Sequence, residues 1–533
     1  MKAPLSLIAA SLLLAACSGP APRPDSGLQA PPAWHSPHTA AAQQDNRQWW
    51  TRFGSPELER LVEQARLGSH DLAAAMARVR QAQATAVVAG APLLPELKGA
   101  LNANRQKLLR GNGYSQLDAD SSNKAVDYFD ASLSASYEID FWGGKRAARD
   151  SALLGVQASE FDQATVELTL LSGVANSYAQ VLSLREQSRI AELNLANAQN
   201  VLRLVQTRYD SGSATALELA QQKSLVAAQQ RQLPLVQQQA EDARITLAAL
   251  LGQPVQSLDL GQQPFAQLTW PGIDAGVPSD LLRRRPDIAS AEARLAAAQA
   301  DVTVARAAML PSITLSASLG SGADTASDIL RSPFYNLTSA LAAPIFNAGR
   351  LSAERDRARA RQQELLESYR GAIVNGFADV EKALASIRGL DQQRQWQSEE
   401  LRQAQIAFDI AQSRYQAGAA DLLTVLETQR TLYAAQDQNV QLRLSRLQAS
   451  VALYKALGAA GKRNTQTLRR PCSRCRAQRG CDRARSGRES GNAVFQTNPV
   501  HRLGEDCVGM PPTSIAASLR SAAATEPWCL HGR

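Results

Sequence analysis

The side chains that could do chemistry are few, and two cysteines are the most suggestive of them. Cys472 and Cys475 form a C-x-x-C pair, the spacing with which many zinc sites begin. The other cysteines beyond this pair are badly spaced for a second one, and His501 and His531 do not form the usual H-x₃₋₅-H. We therefore interpret this region as a disordered or non-native extension, although a zinc-bound tail stays open as the alternative.

Neither a catalytic base nor a phosphate loop is indicated elsewhere. His70 stands alone in "GSHDLAAAM", where a helix start is a sufficient explanation. Gly143-Gly144-Lys145 lacks both the earlier glycine and the following Ser or Thr of a phosphate-binding loop. These patterns favour no enzyme, no metal and no bound cofactor.

One cysteine near the start of the chain does carry a specific signal. "MKAPLSLIAASLLLAAC" has a charged residue, an apolar run and small residues before Cys17. This resembles bacterial lipoprotein signals, which implies removal of residues 1–16 and a lipidated tether over 17–48. The implied modification is N-palmitoyl and S-diacylglycerol on Cys17, and Ser18 implies sorting to the outer membrane. An ordinary secretory signal is the alternative.

The charge of the chain is unevenly distributed. The last 72 residues carry 13 Lys and Arg against 5 Asp and Glu, whereas the rest of the chain carries 44 of each. The net charge of +8 therefore belongs to residues 462–533, which we interpret as a frameshifted end. A basic balance confined to such a tail does not indicate nucleic acid as a partner.

The body of the chain contains an internal duplication. "TRYDSGSATALELAQQKS" at 207–224 and "SRYQAGAADLLTVLETQR" at 413–430 share Arg-Tyr-x-x-Gly followed by a new helical pattern. The glycine predicts a left-handed helix end, and Thr215 and Asp421 are suited to start the next helix. The residues of the two predicted turns are Arg208, Tyr209, Gly212, Arg414, Tyr415 and Gly418.

Each half also predicts two strands. "YFDASLSASYEI" at 128–139 and "ITLSASL" at 313–319 alternate apolar with small polar residues, which suits a barrel wall between lipid and water, or else a two-sided soluble hairpin. The Gly-rich polar segments 110–124 and 320–328 are predicted to be exposed loops. Long helical patterns then follow, and the one after Thr215 is interrupted at Pro234. We predict a first repeat over 49–255, a connector over 256–288 and a second repeat over 289–461.

These features together resemble the outer-membrane efflux factors of Gram-negative bacteria, the TolC-like family in its OprM-like lipoprotein branch. The resemblance rests on the cysteine signal, the duplicated order, the two turns, "LLRRRPDI" at 281–288 and "LYKALG" at 453–458. It implies an α+β membrane protein with an internal duplication. Three subunits would contribute four strands each to one β-barrel, continued by a long α-helical barrel in the periplasm.

The resemblance also implies roles for the turns and for the residues after the second one. The tips would meet a periplasmic adaptor (membrane fusion) protein coupled to an inner-membrane RND-type transporter. Leu423 and Glu427 share a helix face and match positions that narrow the closed mouth in OprM-like channels. Their alternative interpretation is ordinary packing and a solvated charge. After the first turn we see only the Ala-rich "ATALELAQQ", so the second hairpin is predicted to carry the gate.

The predicted function is a passive outer-membrane duct that moves drugs or other small molecules out of the cell. Two alternatives stay open. One is a duct of a protein secretion system, and the other is a lipid-anchored coiled-coil protein that does not conduct.

Overall fold

The computed structural model describes residues 25–36, 46–106, 126–270, 272–273 and 275–458. Cys17, the predicted loop 110–124 and the tail 462–533 with its cysteines lie outside the described residues. The expectations for the lipid anchor, for that loop and for the tail therefore stay predictions.

The described part of the chain contains two copies of one order of elements, as predicted. A short 3₁₀ helix, Asn46–Phe53, precedes the first copy. In chain order the elements are α1 Pro56–Gly68, α2 His70–Gly90, β1 Glu96–Gln106, β2 Val126–Ile139, α3 Gly144–Asp210, α4 Ala216–Leu250, α5 Pro278–Arg284, α6 Pro286–Ala307, β3 Ser312–Ala323, β4 Pro333–Ala342, α7 Arg350–Gln416 and α8 Leu422–Ala456.

The two helical hairpins have the same dimensions. Helices α3 and α7 are each 67 residues long, and α4 and α8 are each 35 residues long. At 1.5 Å per residue, the longer pair extends for roughly 100 Å. The apolar run of a membrane-crossing helix is not found in any of the described helices.

Helix α4 continues through Pro234, where we had predicted an interruption. Proline lacks the N–H that would bond to the carbonyl of Gln230. Both residues are exposed, so water can take the hydrogen bond that this carbonyl loses. The packing of residues on either side, such as Val226 and Val236, keeps the helix together.

The four strands form one antiparallel sheet in the order β1-β2-β3-β4. Glu96 pairs with Ser136, Leu133 with Leu319, and Ser312 with Ala342. All residues of the two outermost strands, β1 and β4, are exposed. Because they are outermost, each also has one backbone edge that pairs with no other strand of the described residues.

Strand β3 extends into the segment that we had predicted to be a loop. It runs to Ala323, and Ser321 is buried. Gly320 and Gly322 pair with neighbouring strands, and the rings of Phe334 and Tyr128 lie where their side chains would be. A Cβ on Gly320 would lie 2.7 Å from the Phe334 ring. The sequence alone does not show that aromatic rings cover these glycines, so the prediction that they lie in a loop was wrong.

The helices pack around α3 and α7. Helix α3 contacts α2, α4, α6 and α8, while α7 contacts α6 and α8. A large apolar core joins the N-terminal 3₁₀ helix to α3 and α8, and in it Trp49 stacks on Tyr454 at 5.3 Å between ring centres. Both side chains are fully buried. This core thereby joins α3 and α4 of the first hairpin to α8 of the second.

Two sequence motifs of the resemblance, 281–288 and 453–458, meet in space. Gly458 ends α8 in a left-handed conformation (φ +68°), and a Cβ there would lie 2.6 Å from the carbonyl oxygen of Arg284. The Arg285 guanidinium donates to the carbonyl of Ala456 at 3.2 Å and to the Asp379 carboxylate at 2.9 Å. The start of α6 therefore lies against the end of α8. Helix α6 begins at Pro286, inside the predicted connector.

Residues 25–36 of the N-terminal tether form no helix or strand and are bound along α7. The Trp34 indole N–H donates to the Gly276 carbonyl at 2.9 Å. The backbone N–H groups of His35 and Ser36 donate to the Glu381 carboxylate at 2.6 and 3.1 Å. Burial raises the pKa of Glu381, but the backbone bonds from His35 and Ser36, together with the Ser36 hydroxyl and the His35 side chain, hold it below its ordinary value. This segment is thus a strap fixed to the helices.

Candidate functional site at the hairpin tips

Both predicted turns end their helices in the same way. Gly212 and Gly418 are left-handed, with φ of +76° and +77°. In the first turn the Ser213 N–H donates to the carbonyl of Arg208 at 2.7 Å, and the Gly212 N–H donates to that of Tyr209 at 2.9 Å. The second turn repeats both bonds. This is the Schellman arrangement, in which glycine occupies the left-handed position without a steric penalty.

The helices that follow start with side-chain caps, as predicted. Thr215 and Glu218 form a reciprocal capping box, with backbone-to-side-chain bonds of 2.6 and 3.2 Å. Asp421 accepts a hydrogen bond from the Thr424 N–H at 3.0 Å. Hydrogen bonds from the Thr424 hydroxyl and backbone lower the pKa of Asp421. Each reversal is therefore closed on both sides by local bonds.

A contact between the hairpins joins the two tips. The Arg208 guanidinium donates to the backbone carbonyl of Tyr415 at 2.7 Å and lies 4.6 Å from the centre of its ring. Tyr415 is buried, with 2% of its surface exposed. Burial raises the pKa of the Tyr415 phenol. The end of α3 is thereby fastened to the end of α7.

Equivalent residues of the two turns differ in burial and in hydrogen-bond partners. Tyr209, the counterpart of Tyr415, is 41% exposed. Arg414, the counterpart of Arg208, makes a 3.4 Å bond to the carbonyl of Ala419 in its own turn. The link between hairpins is therefore made by the first arginine and the second tyrosine, an asymmetry that the repeated motif could not reveal.

A polar chain runs through the apolar core beneath the tips. The Tyr433 hydroxyl donates to the Asn194 carbonyl at 2.8 Å and accepts from the Gln429 amide at 2.7 Å. The Gln222 amide donates to the Ala198 carbonyl at 2.8 Å. The burial of Tyr433 raises the pKa of its phenol to about 12. The first of these bonds joins α8 to α3 and the last joins α4 to α3, so they fix the helices in register.

The structure places Leu423 and Glu427 at the start of α8, close behind the second turn. Leu423 is 62% exposed, and Glu427 is exposed as well. Glu427 makes no ion pair with any described residue. A large apolar side chain and an unpaired carboxylate thus face away from the core of the subunit.

The first hairpin carries a leucine that we missed in the sequence. Leu217 and Gln221 lie 206 residues before Leu423 and Glu427, at the same positions after their turn. Leu217 is 67% exposed. The contrast between the hairpins therefore holds for the charge but not for the leucine. Applying the offset of the repeat residue by residue would have found it.

The remaining candidates from the sequence have structural roles or lie outside the described residues. His70 begins α2, with Ser69 as the cap. Gly143 is left-handed (φ +76°) and ends the turn between β2 and α3. Among the described residues there is no cluster of His, Cys, Asp or Glu able to hold a metal ion.

Comparison with known proteins establishes the family. Residues 61–253 and 277–459, more than half of the chain, match the family described as outer membrane efflux protein. The chain belongs to the outer membrane efflux protein family. This efflux protein is 66% identical over 470 residues to the pyoverdine export outer membrane protein OpmQ of Pseudomonas aeruginosa, covering 87% of this chain and 98% of that protein.

Two further relatives support the assignment. The OpmQ protein of Pseudomonas putida is 60% identical over 464 residues, which are 87% of this efflux protein and 98% of the relative. The solved structure of CusC, described as forming a transmembrane channel, matches with a TM-score of 0.72 and 30% identity over 82% of this chain and 99% of that chain. The efflux protein therefore has the fold of these channels, and its location is the outer membrane.

Proposed function

We propose that three copies of this efflux protein form a passive exit duct of a tripartite pump, which exports pyoverdine or a closely related small molecule. The observation that carries the proposal is the pair of equal helical hairpins, which extend from one sheet to two tips at the same distance. Each such subunit would form one third of the wall of a tube. Three subunits would together enclose a path from the tips to the sheet.

The open edges of the sheet support assembly. Strands β1 and β4 each present a row of unpaired N–H and C=O groups. In lipid, each unsatisfied backbone group costs several kcal/mol. Pairing β4 of one copy with β1 of the next removes both edges, and closure after three copies gives twelve strands. The number three comes from the family resemblance, because edge pairing alone would accept other ring sizes.

The tips are the proposed contact with the adaptor protein. They lie at the far ends of α3 and α7, and their exposed residues include Tyr209 and Arg414. The inner-membrane RND-type transporter would supply the energy, since the duct itself is proposed to catalyse no reaction. The tip turns would thus couple the adaptor protein and the transporter to the opening and closing of the mouth.

The mouth is proposed to be narrowed by leucines from both hairpins and by Glu427 from the second. Three subunits would contribute six leucines, at positions 217 and 423, and three carboxylates. An apolar constriction obstructs water and solutes, and a ring of carboxylates favours cations over anions. The Arg208–Tyr415 link would hold this arrangement closed.

The cargo follows from the relatives. Two proteins that match almost over their whole length, at 66% and 60% identity, are named for pyoverdine export. This favours a small molecule over an exported protein. Nothing in the described structure specifically supports a non-conducting spacer.

Three measurements test the proposal. Purified protein in planar bilayers should give discrete channel currents, and tagged protein should retain its adaptor during co-purification. In cells that lack the encoding gene, pyoverdine should accumulate in the periplasm and return to the medium on complementation. Absence of currents would overturn the duct, and undiminished pyoverdine export would overturn the cargo.

The gate is tested separately with Leu423→Ala and Glu427→Gln. We expect the first to raise the conductance of the resting channel and the second to reduce its preference for cations. Leu67→Ala is a matched control, because Leu67 is 82% exposed but lies on α1, far from the tips. Unchanged conductance and antibiotic leak in Leu423→Ala, together with unchanged cation preference in Glu427→Gln, would contradict the gate.

The lipid anchor is a further part of the proposal. We propose cleavage before Cys17 and acylation of this residue, on the strength of the sequence signal. Mass spectrometry of the purified protein should show an N-terminal peptide with the added acyl mass. Cys17→Ser protein should lack that mass, and an unmodified wild-type Cys17 would contradict the anchor.

A further inference from the structure

A cavity of about 400 Å³ lies where the end of α8 meets the start of α6, between α3 and α7. Small side chains such as Ala449 and Ala452 leave the space open. Hydroxyl groups line it on two helices, from Thr165 and Thr169 on α3 and from Ser386 on α7. Neither the hairpin tips nor the mouth includes these residues.

The charges around this cavity leave a surplus of positive charge. The lining carboxylates are already committed, because Asp287 and Asp379 both pair with Arg285, at 2.6 and 2.9 Å. Lys382 and Lys455 also line the cavity. Neither lysine has an acidic partner within ion-pair distance among the described residues. The Thr165 hydroxyl donates to the Phe161 carbonyl at 2.9 Å, so two ammonium groups and the hydroxyls of Thr169 and Ser386 remain available.

The cavity opens on the same side of α8 as the mouth residues. An exposed stripe follows α8 and includes Leu423, Glu427, Ala434, Gln441, Ala452 and Lys455. Between Gln441 and Ala452 the stripe is half-buried, at Ser445 and Gln448. The other side of the helix is covered, since Leu453 packs with Trp34 of the strap and Leu384 of α7. If Leu423 and Glu427 face the lumen, Lys455 and the cavity face it too.

We propose that this cavity is a binding subsite in the duct wall for carboxylate groups of passing cargo. This rests on the proposed function, because it needs the cavity to face the lumen. Lysine ammonium and hydroxyl donors are suited to a carboxylate, and three subunits would present six lysines around the path. The subsite lies 28 residues above Glu427 along α8, roughly 42 Å from the mouth. Cargo would pass an acidic constriction first and a basic stretch second.

The test uses the full-length trimer in planar bilayers, with citrate as the probe. The variant is Lys382→Gln with Lys455→Gln. The matched control is Lys223→Gln with Arg231→Gln, which removes the same charge from exposed positions on α4. Block of the current by citrate, and the reversal potential in a salt gradient, are measured for all three proteins. We expect the variant to need about tenfold more citrate for half-block and to become less permeable to anions, whereas the control stays like the wild type.

The outcomes separate the two proposals. A wild-type protein without currents overturns the duct, whatever the lysines do. Currents with equal citrate block in variant and wild type overturn the subsite alone. An equal loss in the variant and in the control also overturns it, because the effect would then be one of net charge.

Discussion

The link between Arg208 and Tyr415 leads to the sharpest prediction. Arg208→Gln removes a hydrogen bond from a charged donor, which contributes about 1.5–3 kcal/mol, and a cation–π contact of about 0.5–1 kcal/mol. Because Arg208 is half-buried, we take the lower end, about 2 kcal/mol for each subunit. If opening separates the hairpins, this loss favours the open tip roughly 30-fold per subunit.

The repeat supplies the control for this prediction. Arg414→Gln removes the equivalent arginine, whose 3.4 Å bond stays within its own turn. Open probability in planar bilayers and entry of a large antibiotic into intact cells should both rise for Arg208→Gln and stay near wild type for Arg414→Gln. Equal behaviour of the two variants, with the trimer intact, would refute a closing role for the link.

Three further predictions concern the mouth, the helix ends and the strap. Leu217→Ala should raise the resting conductance about as much as the leucine variant of the second hairpin, and a silent Leu217→Ala would confine the constriction to one hairpin. Gly458→Ala should lower the free energy of unfolding by roughly 2 kcal/mol more than Gly212→Ala, because both are left-handed but only Gly458 lies against another backbone; equal thermal melting would contradict this. Glu381→Gln should expose the strap to limited proteolysis at neutral pH. Since the folded pKa of Glu381 is depressed, its contribution is present above the ordinary value of 4.5 and is lost as the pH falls through the lower folded value, so wild-type strap cleavage should rise only in acid.

The sequence predicted the architecture well because the repeat is visible in local patterns. Helix lengths follow from the distance between breakers, and each Arg-Tyr-x-x-Gly turn carries its own cap. Thr215 and Asp421 needed only neighbours within four residues, so their roles could be foreseen. Pro234 could not be judged, because whether a proline ends a helix depends on solvent and packing around it.

Contacts between distant residues escaped prediction. Trp34 and Gly276 are separated by 242 positions, and His35 and Glu381 by 346. Nothing local in the tether marks it as bound, since its composition is that of a free linker. The asymmetric pairing of Arg208 with Tyr415 was hidden for a related reason: two equal motifs give no indication of which copy faces the other.

The identical lengths of the two hairpins constrain how such a chain can change over evolution. The halves have diverged in most side chains, yet no net insertion or deletion separates α3–α4 from α7–α8. A heptad lost from each helix of one hairpin would leave its tip roughly 10 Å short of the other. Any partner that docks on a level ring of six tips would then meet only three. Single substitutions are therefore tolerated, whereas a change in the length of one hairpin must be matched by the same change in the other.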